Sequence, residues 1–339
     1  EMKAVALNRY LPIDDPHALV DVDLIKPVPG PRDLLVHVEA ISVNPVDAKV
    51  RRSKLGQSEA EPRVLGWDAA GVVKAIGSQV SLFRPGDEVY YAGSITRPGA
   101  NSEFHCVDER IVGNKPANLT FAEAAALPLT AITAWEALFD RLGIDDSGAF
   151  RGRSILIIGG AGGVGSIGIQ LAKLVGLIVV ATASRPETHA WCSAMGADHV
   201  VDHRQPLPPQ LAALGLSEVD YIANFADTDA YWTAMAEMIR PQGRIVGIVA
   251  NEAPLDLDLL KSKSATFAWE FMFTRAMYGT PDMQAQHELL DTVADLVASG
   301  RLRTTMTETL SPISAANLRT AHARLESGRT IGKLVLTGW

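Results

Sequence analysis

A glycine-rich segment at 159–165 constrains the fold more than any other part of this 339-residue chain. It follows a short, apolar, β-branched run and precedes a segment with helical spacing. Its glycines fit the spacing GxGxxG at Gly160, Gly162 and Gly165. Such glycines allow a tight turn, close approach of a pyrophosphate and close packing of helix on strand. The pattern predicts a dinucleotide-binding turn, with further backbone groups offered by Gly163 and Val164.

The next predicted strand, at 177–183, indicates which dinucleotide binds. An NAD-preferring site places Asp or Glu at the end of this strand, where it binds the ribose 2′-hydroxyl. Here the strand is followed by Ser184 and Arg185, and the first acid, Glu187, lies too far along the chain for that role. A guanidinium suits a phosphate group. We therefore expect NADP(H), with the 2′-phosphate held by Ser184 and Arg185; the alternative is that Arg185 is a solvated loop residue. His203, after the third strand, is either a helper or a surface histidine.

The order of predicted elements favours two domains. Strands and helices alternate from 150 to 273, which predicts a doubly wound parallel sheet with strands at 155–158, 178–182, 199–202, 219–224, 244–249 and 265–269. The first 120 residues carry short strands separated by Pro/Gly turns, typical of a mostly antiparallel β-barrel. The tail, with one strong helix at 283–299, is too short to fold alone. We expect one domain at 1–128 plus 270–339, and a nucleotide-binding domain at 129–269.

Composition excludes several classes of protein. The 31 basic and 39 acidic residues give a net charge of −8, which argues against nucleic acid or an anionic membrane surface as partner. No segment approaches the roughly 20 apolar residues of a membrane span. The two cysteines, Cys106 and Cys192, cannot form a disulfide framework, so we expect a cytoplasmic protein.

Several longer strings resemble the quinone oxidoreductase branch of the medium-chain dehydrogenase/reductase superfamily. They are Val43-Asn44-Pro45-Val46-Asp47, LGWDAAGVV at 65–73, FRPGDEV at 83–89, LPLTAITAW at 127–135 and SGRTIGK at 327–333. Within that branch the chain is most similar to the bacterial zinc-type alcohol dehydrogenase-like subgroup. The resemblance implies an α/β fold in which a Rossmann domain is inserted in a GroES-like, mostly antiparallel β-barrel domain. It also implies a homodimer that reduces quinones or enones.

The resemblance raises the question of zinc. In zinc-dependent relatives, Cys, His and Cys ligands match the positions of Asn44, Trp67 and Leu129 in this chain. None of these three is a zinc ligand, because Zn²⁺ takes Cys, His or carboxylate groups. Val46 stands at the proton-relay position and has no exchangeable proton. We predict that the chain binds no metal.

The same resemblance nominates catalytic residues near the substrate. Asn44 would offer its amide to the nicotinamide or the substrate oxygen; otherwise it is a turn residue before Pro45. Asp47 would orient its neighbours or form an ion pair with Lys49 or Arg51, rather than transfer a proton.

Four further residues are candidates by matched position. Trp67 would line the substrate pocket or is a core residue, and Thr130 would bind the nicotinamide amide or cap a helix. Phe271, past the sixth strand, would approach the nicotinamide or is a core residue. Lys333 is a candidate cofactor contact.

Without a metal, the favoured chemistry is hydride transfer to an acceptor that delocalises the resulting charge. A quinone or an α,β-unsaturated carbonyl compound does so, and neutral donors then suffice. Two alternatives remain: a zinc-independent alcohol or aldehyde oxidoreductase, and a non-catalytic NADPH-binding redox sensor. Alcohol oxidation is less favoured, because no metal or acidic donor is available to stabilise an alkoxide.

Overall fold

The chain divides into two units in the computed structural model, which describes all 339 residues. Unit 1 comprises Glu1–Ile132 and Phe273–Trp339, and unit 2 comprises Thr133–Met272. The C-terminal tail therefore belongs to the same unit as the N-terminal residues. None of the helices combines the length and the apolar character that a membrane-spanning helix needs.

Unit 1 is built mainly from short strands. Its elements before the boundary are β1 (Met2–Arg9), β2 (Val20–Leu24), β3 (Asp33–Ser42), α1 (Pro45–Arg52), β4 (Ser58–Val64), β5 (Ala69–Ile76), β6 (Glu88–Tyr91), β7 (Phe104–Asp108), a 3-10 turn (Glu109–Ile111), β8 (Val112–Asn114), α2 (Phe121–Ala125) and α3 (Pro128–Trp135), within which the boundary falls.

A seven-stranded sheet forms the larger layer of unit 1, and it includes two strands of the tail, β15 (Met306–Leu310) and β16 (Lys333–Thr337). Its order is β15-β16-β3-β5-β6-β8, with β7 paired to β3. All of its pairs are antiparallel except β15 with β16. A second, antiparallel sheet has the order β2-β1-β4. The expected mostly antiparallel domain is confirmed.

The helix predicted at 283–299 is present as α9 (Ala285–Ala298), and the tail contains two further helices that the sequence did not indicate, α8 (Thr274–Tyr278) and α10 (Ala315–Glu326). Helix α10 escapes sequence analysis because polar residues outnumber its few buried ones. It begins where the Ser314 side chain accepts a hydrogen bond from the backbone N–H of Asn317, a typical N-cap.

Unit 2 alternates strands and helices. Its elements are a π-helical turn (Glu136–Arg141), β9 (Ser154–Ile158), α4 (Gly163–Leu174), β10 (Ile178–Ala183), α5 (Pro186–Met195), β11 (His199–Asp202), α6 (Leu207–Ala213), β12 (Val219–Asn224), α7 (Thr228–Met238), β13 (Ile239–Gly247), a 3-10 helix (Leu257–Lys263) and β14 (Thr266–Trp269).

The six strands of unit 2 form one parallel sheet in the order β11-β10-β9-β12-β13-β14. The chain order reverses at β9, as in a doubly wound fold, so that prediction is confirmed. Apolar side chains of Leu156, Ile222 and Ile245 belong to one buried cluster with Trp232 and Met235 of α7. Burial on both faces explains why these strands read as continuous apolar runs.

Two predicted element bounds in unit 2 differ from the structure. Strand β13 was expected at 244–249, but it begins at Ile239, and its register with β12 shifts between Val219 and Tyr221. The sequence also predicts a helix over 132–142, and the structure has α3 followed by the π-helical turn there. A change from α to π hydrogen bonding has no signature in apolar spacing, and such changes are frequent at functional sites.

Candidate functional site

The glycine turn of unit 2 connects the buried strand β9 to helix α4. A Cβ atom on Gly165 would stand 2.1 Å from the Gly159 carbonyl oxygen. A Cβ on Gly160 would stand 2.9 Å from both the Ala181 Cβ and the Cys192 Sγ. Packing alone therefore requires glycine at both positions.

Gly162 differs from these two, because a Cβ there would meet only the Gly159 carbonyl oxygen, at 3.6 Å. Its φ of −71° suits any residue, so the fold does not require glycine here. Gly162 is the N-cap of α4, and Gly163 and Val164 open the first turn, where helical N–H groups lack internal acceptors. Open space beside N–H groups that have no internal acceptor suits the binding of a pyrophosphate.

Hydrogen bonds hold the turn in place. The Gly159 N–H donates to Thr182 Oγ1 (3.0 Å) and the Gly160 N–H to the Thr182 carbonyl oxygen (3.2 Å). The Trp191 indole donates to Ser166 Oγ (2.8 Å), and that hydroxyl donates to the Gly162 carbonyl oxygen (2.6 Å). These bonds tie the turn to β10 and α5, so it is positioned before any ligand binds.

The residues expected to read the 2′-phosphate follow β10. Ser184 is partly buried, and Arg185 is the N-cap of α5, where its N–H donates to Thr188 Oγ1 (3.0 Å). The Arg185 guanidinium forms a 2.9 Å ion pair with Glu187, which sequence analysis set aside. His203 is exposed in the turn after β11. Ser184 and Arg185 thus share the end of one strand, and His203 follows the adjacent strand.

In unit 1, a buried polar cluster surrounds Asp68. One carboxylate oxygen, Oδ2, accepts hydrogen bonds from Ser42 Oγ (2.7 Å), Asn44 Nδ2 (2.8 Å) and Lys333 Nζ (3.0 Å). The other, Oδ1, accepts from the backbone N–H of Leu129 (2.8 Å). Sequence analysis missed Asp68, although an acid among the apolar and small residues of LGWDAAGVV is a signal that could have found it.

Lys333, the candidate cofactor contact of the sequence analysis, belongs to this cluster. Its ammonium donates to the Val43 carbonyl oxygen (2.8 Å), to Asn44 Oδ1 and to Asp68. These three acceptors use its three N–H bonds. Lys333 therefore neutralises a buried carboxylate and orients the Asn44 amide.

Asp47 lies fully buried in the first turn of α1. Its Oδ2 accepts from the Asn44 backbone N–H (2.7 Å), completing a capping box, while its Oδ1 has no hydrogen-bond partner. Burial raises the pKa of Asp47 to about 7, even though the Asn44 N–H and the Lys333 charge oppose the shift. This carboxyl therefore titrates near neutral pH.

The expected ion pair between Asp47 and Lys49 or Arg51 is not formed. The buried Arg51 instead donates to His322 Nδ1 (3.1 Å) and pairs with Glu326 (2.8 Å), both on α10. The sequence could not reveal this partner, because it lies about 270 residues away on a helix that was not predicted.

The remaining candidates are placed as follows. Trp67 is only 1% exposed, donates to the Ser94 carbonyl oxygen (3.1 Å) and meets Phe273 edge-on. Thr130 is buried, and its hydroxyl donates to the Leu127 carbonyl oxygen (3.1 Å). Phe271, just past β14, is 46% exposed, which does not fit the core alternative.

The structure brings together Asn44 and Lys333 with Asp47 close by in unit 1, and it assembles the glycine turn in unit 2. No three His, Cys, Asp or Glu side chains of the chain come together in a group that could hold a metal ion.

Comparisons with known proteins agree with this architecture. Residues 30–135 match the alcohol dehydrogenase GroES-like domain, and residues 195–336 match the zinc-binding dehydrogenase family. A zinc-type alcohol dehydrogenase-like protein of Staphylococcus aureus (strain MSSA476) is 46% identical over 99% of both chains. The 2-methylene-furan-3-one reductase of Solanum lycopersicum is 31% identical over 99% of this chain and 79% of its own. The solved quinone oxidoreductase of Pseudomonas syringae pv. Tomato DC3000 is 26% identical, with a TM-score of 0.83 over 99% of this chain and 100% of its own.

Proposed function

Because the chain belongs to the medium-chain dehydrogenase/reductase superfamily, we propose that it is an NADPH-dependent, zinc-independent oxidoreductase that transfers hydride to quinones or α,β-unsaturated carbonyl compounds. The observation that carries this proposal is the buried Asn44 amide, which hydrogen bonds to Asp68 and Lys333 hold in one orientation. By the motif resemblance, this position matches a ligand of zinc-dependent relatives. The similarity to a quinone oxidoreductase and to a furanone reductase supports the acceptor class.

Asn44 is suited to be a neutral hydrogen-bond donor. Its Oδ1 accepts from Lys333, and one hydrogen of Nδ2 goes to Asp68, so the amide orientation is fixed and one N–H remains to donate. A donor fixed in advance stabilises developing negative charge without reorganising. Reduction of an enone or quinone leaves a delocalised charge on oxygen, for which such a donor suffices. An alkoxide would need a stronger acid, which disfavours alcohol oxidation.

The cofactor would be held by unit 2. Gly162, Gly163 and Val164 would bind the pyrophosphate, with Ser184 and Arg185 at the 2′-phosphate. NADPH supplies the hydride when bound.

We also infer a homodimer. Strand β14 pairs only with β13 and so leaves one edge of the sheet open, with Trp269 and Phe271 exposed beside it. A monomeric mass in solution would overturn this assignment.

The first test is turnover by chelator-treated protein, with NADPH oxidation followed in the presence of a simple benzoquinone or a simple enone. We expect turnover that survives chelation, since the proposed site uses no metal ligand. A saturated ketone of similar size is the matched control and should be a poor acceptor. Loss of turnover on chelation, restored by zinc, would contradict the proposal. Tight NADPH binding without turnover on any acceptor would favour the redox-sensor alternative.

Arg185→Ala is expected to weaken NADPH binding about 10- to 100-fold and NADH binding little, because charge-assisted hydrogen bonds contribute about 1.5–3 kcal/mol. Dissociation constants of both cofactors by fluorescence titration would measure this. Arg204→Ala is the matched control, because Arg204 is an exposed arginine paired with Asp202 after the neighbouring strand. Equal weakening of both cofactors would show that Arg185 does not read the 2′-phosphate.

A further inference from the structure

Glu270 is a buried carboxyl group that the proposed hydride transfer does not use. It is 2% exposed, and neither of its carboxyl oxygens has a hydrogen-bond partner. Its nearest cation is Arg141, whose Nε lies 3.5 Å from Oε1, too far for a hydrogen bond. A buried ionised carboxyl with one long ion pair and no hydrogen bond is costly, so this group calls for an explanation.

The groups that face Glu270 come from the π-helical turn Glu136–Arg141. Glu136 is also buried, whereas Asp140 is exposed and Arg141 is partly exposed. On its other side, Glu270 follows β14, whose neighbour β13 ends at Gly247 and brings no titratable side chain there. Burial, with the charge of Glu136 and a smaller contribution from Asp140, raises the pKa of Glu270 well above the ordinary range of a glutamate, and Arg141 offsets only part of the shift. The surroundings of Glu270 therefore favour its protonated form.

Glu270 stands at the ligand-binding edge of the sheet. Ile158, Asn224, Gly247 and Trp269 pair in a row across β9, β12, β13 and β14, at the carboxyl ends of these strands. Gly159, which opens the glycine turn, follows Ile158 at one end of this row. Glu270 follows Trp269 at the other end, and its N–H donates to the Gly247 carbonyl oxygen (2.9 Å). Ligands of doubly wound sheets bind outside this edge.

The half of the sheet that contains Glu270 is the nicotinamide half. A doubly wound fold has two mononucleotide-binding halves. Arg185, proposed to read the adenosine 2′-phosphate, follows β10, which lies in the half β9-β10-β11. The nicotinamide half of the cofactor is thereby left to β12, β13 and β14, where Glu270 follows the last strand.

We propose that Glu270 couples protonation to the redox form of the bound cofactor: it loses its proton to the solvent when NADP⁺ binds and keeps it when NADPH binds. This inference rests on the proposed function for its cofactor. The oxidised nicotinamide ring carries a positive charge, which the reduced ring lacks. A nearby positive charge favours the carboxylate form of an acid. Glu270 thereby makes the affinity for NADP⁺, and not that for NADPH, depend on pH.

The direction of this dependence follows from linkage. Below the raised pKa of the free protein, Glu270 holds a proton that NADP⁺ binding must displace, so a higher pH favours binding. The dissociation constant of NADP⁺ should fall by as much as tenfold per pH unit between the pKa values of the bound and the free protein. The dissociation constant of NADPH should not fall with pH in this way. Both cofactors carry the same 2′-phosphate, so its own titration cancels in the comparison.

The test is isothermal titration calorimetry of the wild-type protein at pH 7.5, with NADP⁺ or NADPH, in buffers that differ in ionisation enthalpy. We expect NADP⁺ to release a fraction of a proton, up to one, in excess of the release with NADPH. Glu270→Gln should abolish this excess, because an amide keeps the shape of the side chain and has no proton to lose. Asp140→Asn is the matched control: it removes an exposed carboxylate of the same π-helical turn and should leave the excess in place.

The outcomes separate this inference from the proposed function. Equal proton release with both cofactors, or an excess that survives in Glu270→Gln, would overturn the role of Glu270 and leave the reductase assignment intact. Failure of both cofactors to bind would overturn the cofactor assignment and this inference with it. The wild-type comparison needs no variant, so the inference can be overturned even if Glu270→Gln does not fold.

Discussion

Lys333→Met is expected to lower the free energy of unfolding by about 3–5 kcal/mol, the usual cost of removing one partner from a buried ion pair. The ammonium is 4% exposed and is the cation that contacts the fully buried Asp68. Methionine fills similar space and cannot neutralise that carboxylate. Urea unfolding followed by circular dichroism, at constant pH, would measure the loss.

A double variant shows whether charge is the cause. Asp68→Asn combined with Lys333→Met removes both charges of this pair. The amide oxygen at position 68 can accept from the Leu129 N–H, while its NH2 group lies beside Ser42 Oγ, a hydroxyl that can also accept. We expect the double variant to be more stable than Lys333→Met alone, since the two changes share one interaction. Simple addition of the two single effects would contradict the view that Lys333 neutralises Asp68.

Gly165→Ala is expected to abolish measurable NADPH binding and to destabilise unit 2. The new Cβ would stand 2.1 Å from the Gly159 carbonyl oxygen, and neither atom can move without shifting the start of α4 relative to β9. Forced overpacking of this kind costs about 1–3 kcal/mol. Thermal unfolding and cofactor titration would measure the two effects separately.

Gly162→Ala is the matched control, because its Cβ would meet nothing closer than 3.6 Å and its φ of −71° suits alanine. We expect it to fold with unchanged stability yet to bind NADPH more weakly, since the methyl group would occupy the space left for the pyrophosphate. Unchanged binding in Gly162→Ala would show that the cofactor does not approach this side of the turn. Full stability in Gly165→Ala would contradict the close packing described here.

The nucleotide-binding half of the fold could be predicted from local patterns. Strands β9 to β12 were located to within a residue or so, because each is a continuous apolar or β-branched run with a glycine, proline or polar boundary. The glycine turn could also be predicted from the sequence. The atoms that exclude a side chain at Gly165 belong to residues only a few positions away, and those at Gly160 belong mostly to the next strand. Helix α10 was missed, since its apolar stripe is narrow and its partners lie far away in the chain.

The candidate site could be predicted from the sequence only in part. The residue types at Asn44, Asp47 and Lys333 could be matched by motif, but not their partners. Asp68 and Lys333 are 265 positions apart, and only the pairing of β16 with β3 brings the tail to the segment that carries Asn44.

The sequence by itself determined the doubly wound sheet, the glycine turn and the absence of Cys or His at positions 44, 67 and 129. The tertiary structure alone decided which charges are buried. It placed Asp47, Asp68 and Glu270 out of water, gave Asp68 a lysine and left Glu270 without a hydrogen bond. The physical reason is that a carboxyl group's charge state depends on solvent exposure and on neighbours distant in the chain, and neither is encoded in its local sequence.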